Sequence, residues 1–205
     1  MKTRLANLWL LSFMLGCLVA RGQGTITFSG YGQHAWSGTS YTESGMIFRL
    51  TIPQGASYDV MGILPSGSGN TPQNSTPFMG WFRQYNPYNY VSLSLTNGSM
   101  FGLTSVQLAD PNSPSLSPVP ISFVGYLAGG STVTNTFTTP GSGATTFANN
   151  TFNSGFSSGL TRVDILAPRW AMDNLVFTVP EPSVISLLIL GSGVLTYVRH
   201  RYKKR

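Results

Sequence analysis

Hydrophobic and polar residues alternate with a period of two over three stretches of the chain. Met46, Phe48, Leu50 and Ile52 stand against Arg49 and Thr51, Val91, Leu93 and Leu95 against Ser92 and Ser94, and Leu175, Phe177 and Val179 form the third set. Successive side chains of a strand point to opposite faces, so each stretch predicts a β-strand with one face in a core. Segments of similar composition near 25–30, 58–64, 78–83, 101–108, 121–127, 131–138, 144–148 and 160–166 predict further strands. Gly, Pro, Ser and Asn separate them; the richest such stretches, 65–77 and 110–120, predict loops too short to mark a domain boundary. Two segments break the rhythm, because 8–19 and 184–198 are nearly continuous apolar runs.

Between those runs there is little of the Ala, Glu and Lys that make solvent-facing helices. Roughly ten short strands with turn residues between them predict an all-β fold. The expected architecture is a single antiparallel β-sandwich, jelly-roll-like, over 23–179, flanked by an N-terminal signal helix and a short C-terminal transmembrane helix. No repeat recurs at a fixed period. Of Trp36, Trp81 and Trp170, most are expected in the core, where their large apolar surface is best used.

The order at the N-terminus is that of a secretory signal over 1–22: Lys2 and Arg4, the apolar run, then Ala20-Arg21-Gly22 before a cut at Gln23. A lipoprotein signal at Gly16-Cys17 fits less well, since Met14 and Leu15 precede it. At the C-terminus the span lies over about 183–198. At ~1.5 Å per residue its apolar run covers roughly 22 Å as a helix, short of the ~30 Å hydrocarbon core. Crossing therefore needs help from Tyr197 and Tyr202 at the interface and from the basic stop-transfer tail 199–205. There Arg199, Arg201, Lys203, Lys204 and Arg205 reach toward phosphates on the cytoplasmic side. The body lies outside and the tail inside; a permanent single-pass anchor predicts the same topology.

Charge changes the picture once it is placed along the chain. The net charge is +6, but three of the twelve basic residues lie in the first 21 positions and five in the last seven. The body keeps Arg49, Arg83, Arg162 and Arg169 against Glu43, Asp59, Asp110, Asp164 and Asp173, so it is near neutral. A phosphate-binding groove is not expected, and nucleic acid is excluded as a partner. Cys17, the one cysteine, lies in the N-terminal run, so the body has no disulfide, thiolate metal site or Cys nucleophile.

Pro180-Glu181-Pro182, the short span and the basic tail follow one another in fixed order over about 179–205. This arrangement resembles the PEP-CTERM sorting domain of exosortase substrates. Two prolines stop a helix and hold an extended segment open to a membrane-embedded processing enzyme. The resemblance implies that exosortase reads Pro180, Glu181 and Pro182 and cuts nearby, after export by the Sec machinery and removal of 1–22 by signal peptidase. The protein would then sit in the inner membrane before processing and in the cell envelope or extracellular matrix afterwards. In the body, 25–28 with 41–45 and 160–163 with 170–177 resemble the first and last strands of carbohydrate-binding-module-like sandwiches, which implies a fold rather than a ligand.

The chemistry in the body is sparse. His34 is its one histidine, which leaves no multi-histidine metal centre and predicts no cofactor. Gly155-Phe156-Ser157-Ser158-Gly159 matches the nucleophile-elbow pattern but lies in a turn-rich stretch with no histidine partner in the body. Paired carboxylates for glycoside hydrolysis would come from the five acidic residues, and spacing alone pairs none of them. Asp173 falls in phase with Leu175 and Phe177 and is expected at the core or its rim, partnered by Arg162, Arg169 or backbone amides. A Ca²⁺ shared between Asp173 and Glu43 is the alternative. The expected function is non-enzymatic: an exported structural or adhesive protein of the surface or biofilm matrix. A second class is a secreted module that binds extracellular polysaccharide through aromatic residues such as Trp81-Phe82-Arg83-Gln84-Tyr85.

Overall fold

The computed structural model describes residues 21–31, 36–52, 60–65, 76–82, 89–110, 118–140 and 146–180. One compact unit comprises Gln23–Val179; the other, Met1–Gly22 with Pro180–Arg205, lies almost wholly outside the described residues. The expected signal helix and transmembrane helix fall there too, except that Arg21 and Gly22 begin the first strand. No described helix is long and apolar enough to cross a membrane.

The described residues form strands β1 (Arg21–Ile26), β2 (Trp36–Gly38), β3 (Ser40–Glu43), β4 (Met46–Thr51), β5 (Met61–Leu64), β6 (Phe78–Phe82) and β7 (Tyr90–Leu95). They continue with β8 (Gly102–Ala109), β9 (Pro120–Leu127), β10 (Thr132–Thr138), β11 (Ala148–Thr151), β12 (Leu160–Leu166) and β13 (Arg169–Pro180). One sheet has seven strands in the order β11-β8-β13-β6-β5-β2, with β1 also paired to β13. The other has six, in the order β10-β9-β12-β7-β4-β3, each antiparallel to its neighbour. The all-β expectation and the two antiparallel sheets are met. The described residues hold more strands than the roughly ten expected, because β2 and β3 are too short to show a period. The strand expected at 144–148 is shifted to β11, where Ala148 to Thr151 pair with β8.

Alternation in the sequence becomes burial in the fold. β4, β7 and β9 send Met46, Phe48, Leu50, Val91, Leu93, Leu95, Ile121 and Phe123 into the core, and their intervening residues stay wholly or partly in water. From the opposite sheet, Met61, Ile63, Met79, Leu108, Trp170, Met172 and Phe177 join the same cluster, so the sheets pack face to face. At one end Phe123, Phe137 and Phe152 meet edge to face at centroid separations of 5.1 to 5.7 Å, a favoured arrangement of ring quadrupoles. Trp170 is fully buried as expected; the side chains of Trp36 and Trp81 lie outside the described set.

Asp173 departs from its expected phase. Met172 and Leu175 both enter the core, so the chain spends an extra residue between them, and the register with β8 shifts between Asp173 and Val176. Asn174 takes up that residue with φ of 46°. This β-bulge turns Asp173 to the opposite face, where period-two counting from Leu175 would not place it.

Candidate functional site

Part of the outer face of the seven-stranded sheet is covered. Phe78, Ala109 and Ala171 are fully buried there, packed with Leu64 and Phe147 in a second apolar cluster. Asp173, also fully buried, accepts hydrogen bonds from the Thr76 hydroxyl at 2.6 Å and the Asn174 amide at 2.7 Å. The Asn174 side-chain amide donates to Gln107 Oε1 at 2.8 Å, and Gln107 Nε2 donates to Asn149 Oδ1 at 2.9 Å. This polar chain fixes the bulge and the strand beside it.

The outer face of the six-stranded sheet is different. Register places Thr134, Val124, Asp164, Ser92, Arg49 and Ser40 in one row across all six strands. Arg162 lies opposite Tyr126 in the next row, and Tyr90 opposite Thr51 on the other side. The face is therefore rich in hydroxyls, with two half-buried tyrosines on strands flanking β12.

At its centre Arg162 is held in place twice. Its guanidinium carbon lies 4.0 Å above the centroid of the Tyr126 ring, within cation–π range. Its Nε is 3.1 Å from Asp164 Oδ1, while its side chain stays 46% exposed and that of Asp164 only 5%. Burial pushes the Asp164 carboxyl above its usual range; the charge of Arg162 and hydrogen bonding by Tyr126 and Arg162 oppose that shift without cancelling it. A planar guanidinium fixed in this way offers donors to an incoming oxygen with little side-chain entropy left to lose. On the same face Arg49 is exposed and, among the described residues, carries no ion pair.

The acidic residues weighed for catalysis or metal binding are dispersed. Glu43 accepts from the Thr27 amide at 3.0 Å, the Thr27 hydroxyl at 3.3 Å and the Tyr41 hydroxyl. Asp110 pairs with Arg169 at 2.9 Å, while Asp173 takes the backbone amide of Asn174, one of the partners expected for it. Glu43 and Asp173 lie on different sheets, and no described group of three His, Cys, Asp or Glu residues is placed to hold a metal ion. Asp59, His34, Arg83, Gln84 and Tyr85 lie outside the described residues, as do Glu181, Pro182 and the basic tail. The Gly155 to Gly159 segment forms a short 3₁₀ turn whose Gly155 amide is capped by Asn153, and a strand rather than a helix follows it. That is not the elbow geometry its pattern suggested.

The sequence pattern does not single out Tyr90 or Tyr126, and it does not bring Arg162 and Asp164 together as a pair. Their side of β12 was nonetheless legible, because Val163 and Ile165 claim the other face. Their meeting with Tyr126 depends on cross-strand register.

No family model matches the chain, and no curated protein matches it. Among solved structures it is similar to the CBM22-1 xylan-binding domain of Paenibacillus barcinonensis Xyn10C, with TM-score 0.41 and 11% identity over 80% of this chain and 99% of that one. It is also similar to the CBM22-1-GH10 modules of Clostridium thermocellum endo-1,4-beta-D-xylanase 10B complexed with xylohexaose, with TM-score 0.38, 10% identity and 80% of this chain covered. The chain spans only 28% of the length of that second structure.

Proposed function

We propose that the body is a non-catalytic glycan-binding module carried on an exported chain, with the outer face of the six-stranded sheet as its contact surface. The observation that carries this reading is Arg162, exposed yet fixed between the Tyr126 ring and the Asp164 carboxylate. A polysaccharide presents many oxygens and flat apolar ring faces. A sheet face with a fixed guanidinium, tyrosines and the hydroxyls of Ser92, Ser94 and Thr134 complements both.

Affinity electrophoresis through gels containing xylan, a soluble β-glucan or polygalacturonate tests it. The protein is expected to be retarded by at least one polymer, and Arg162→Ala and Tyr90→Ala each to weaken retardation by about tenfold, equal to ~1.4 kcal/mol. No retardation on any polymer, or unchanged retardation in both variants, would refute the assignment.

A second reading concerns delivery and stands beside the first: the chain is an exosortase substrate of the cell surface or matrix, with a structural or adhesive role. It is supported by the junction at Pro180, which ends β13 and opens Pro180-Glu181-Pro182, so the sorting motif starts where the described fold stops. Mass spectrometry of surface and medium fractions is expected to find chains lacking 1–22 and the basic tail. A mature protein with Arg199 to Arg205 intact would leave a single-pass anchor instead.

A further inference from the structure

The outer face of the six-stranded sheet carries positive charge with no exposed acid to answer it. Among the described residues no acidic side chain is classed as exposed, and Asp164, the one acid on that face, keeps only 5% of its side chain exposed beside Arg162. Glu43 opposes the buried Met46 and so lies on the core side of β3. Asp110 follows β8 and Asp173 lies on β13, both strands of the other sheet. Arg49 and Arg162 are exposed on the face, and Arg49 has no ion pair among the described residues.

Register sets how far apart the two arginines are anchored. Arg49 opposes Ser92 and Ser92 opposes Asp164, so β7 alone separates β4 from β12, and Arg162 lies two residues along β12 from Asp164. With strands about 4.8 Å apart and about 3.4 Å per residue along each, their Cα atoms stand about 12 Å apart. The same register supplies apolar surface. The β7–β12 ladder pairs Val163 with Leu93 and Ile165 with Val91, and its next step sets Leu166 beside Tyr90. Leu166 is 43% exposed, one of two exposed large hydrophobic residues of the described set, on a face rich in hydroxyls.

We propose that the ligand of this face is a polyuronate, a polysaccharide whose sugars bear carboxylates. The inference rests on the glycan-binding reading above and narrows it to an acidic polymer. One sugar ring lies against Tyr90 and Leu166, and carboxylates of the same chain meet Arg49 and Arg162. A guanidinium holds a carboxylate through two parallel hydrogen bonds, and a regular polyanion repeats its carboxylates, so one chain serves both arginines. An exposed acid on the face would repel such a chain, and the described residues place none there. The apolar surface of Tyr90 and Leu166 matches the flat face of a sugar ring and has no use for a bare inorganic polyanion.

Affinity electrophoresis of the full-length chain in detergent tests this on polygalacturonate, on the same polymer fully methyl-esterified, and on xylan. Esterification removes the charge and keeps the sugar backbone. The free acid is expected to retard the chain at least about tenfold more strongly than the ester. Arg49→Gln and Arg162→Gln are each expected to reduce that preference about threefold or more. Arg49 has no ion pair to lose among the described residues, so its variant reads the ligand contact without disturbing the fold. Leu166→Ser is expected to weaken retardation by acid and ester alike, by about threefold. Equal or stronger retardation by the ester or by xylan overturns the polyuronate assignment and leaves the glycan-binding reading standing. A preference for the acid that survives both arginine substitutions assigns the attraction to the basic ends of the chain and overturns it too, as does a Leu166→Ser chain retarded like the parent. No retardation by any of these polymers or by the β-glucan fails the underlying reading, and the inference with it.

Discussion

Asp164 is a carboxylate that folding removes almost entirely from water, with one cation beside it and a tyrosine within hydrogen-bonding reach. An acid whose pKa is raised on folding holds its proton more tightly in the folded than in the unfolded state. Its contribution is therefore fully present below the ordinary value of 3.8 and is lost as pH rises through the higher folded value. The melting temperature of the parent minus that of Asp164→Asn is expected to fall across that window and to be flat above it; a difference that rises with pH would contradict the assignment. In the core, Phe123 touches both Phe137 and Phe152, so Phe123→Ala removes a ring that two neighbours cannot replace. A loss of about 3–5 kcal/mol in denaturant unfolding is expected.

Among the elements, the β3–β4 hairpin shows how a short turn sets a register. Glu43 opposes Met46, leaving Ser44 and Gly45 as the loop, with φ of 50° and 78°. Both positive values are those of the two-residue turn whose twist matches its strands, and glycine meets that demand without strain. Gly45→Val is expected to cost about 1–3 kcal/mol, read from the unfolding midpoint. Gly102 answers a different need: a side chain there would run into the Ser157 carbonyl, a backbone group with little freedom to move. Gly102→Ala is expected to destabilise by about 1–3 kcal/mol in the same measurement. The long strands were legible because their burial repeats every second residue. β2 was not, since three residues carry no period, and neither was the bulge at Asn174, which leaves no mark beyond an ordinary Asp-Asn pair.

For the whole molecule, the core of the described residues draws on strands from β1 to β13, from Ile26 to Phe177, all within the compact unit Gln23–Val179. A fragment spanning 21–180 is therefore expected to fold alone, with fluorescence and circular dichroism reporting one coincident unfolding transition. Separate transitions would show that the two sheets do not share a core. Charge is also settled at this scale. Glu43 and Asp173 accept hydrogen bonds internally, and Asp110 and Asp164 each pair with an arginine. Among the described residues whose side chains are defined, Arg49 is left as the exposed charge without an ion pair, on the face proposed to meet polysaccharide.

The sequence by itself determined the fold class and which face of each long strand is apolar, because the pleat fixes side-chain direction residue by residue. It likewise located the near-neutral body between basic ends and the motif Pro180-Glu181-Pro182 at its limit. Only the tertiary structure decided which strands become neighbours. Through that it decided that Tyr126 lies beneath Arg162 and that Asp173 is turned away from its expected side. Pairing joins residues tens of positions apart through backbone groups common to nearly every amino acid, so local pattern carries little record of it.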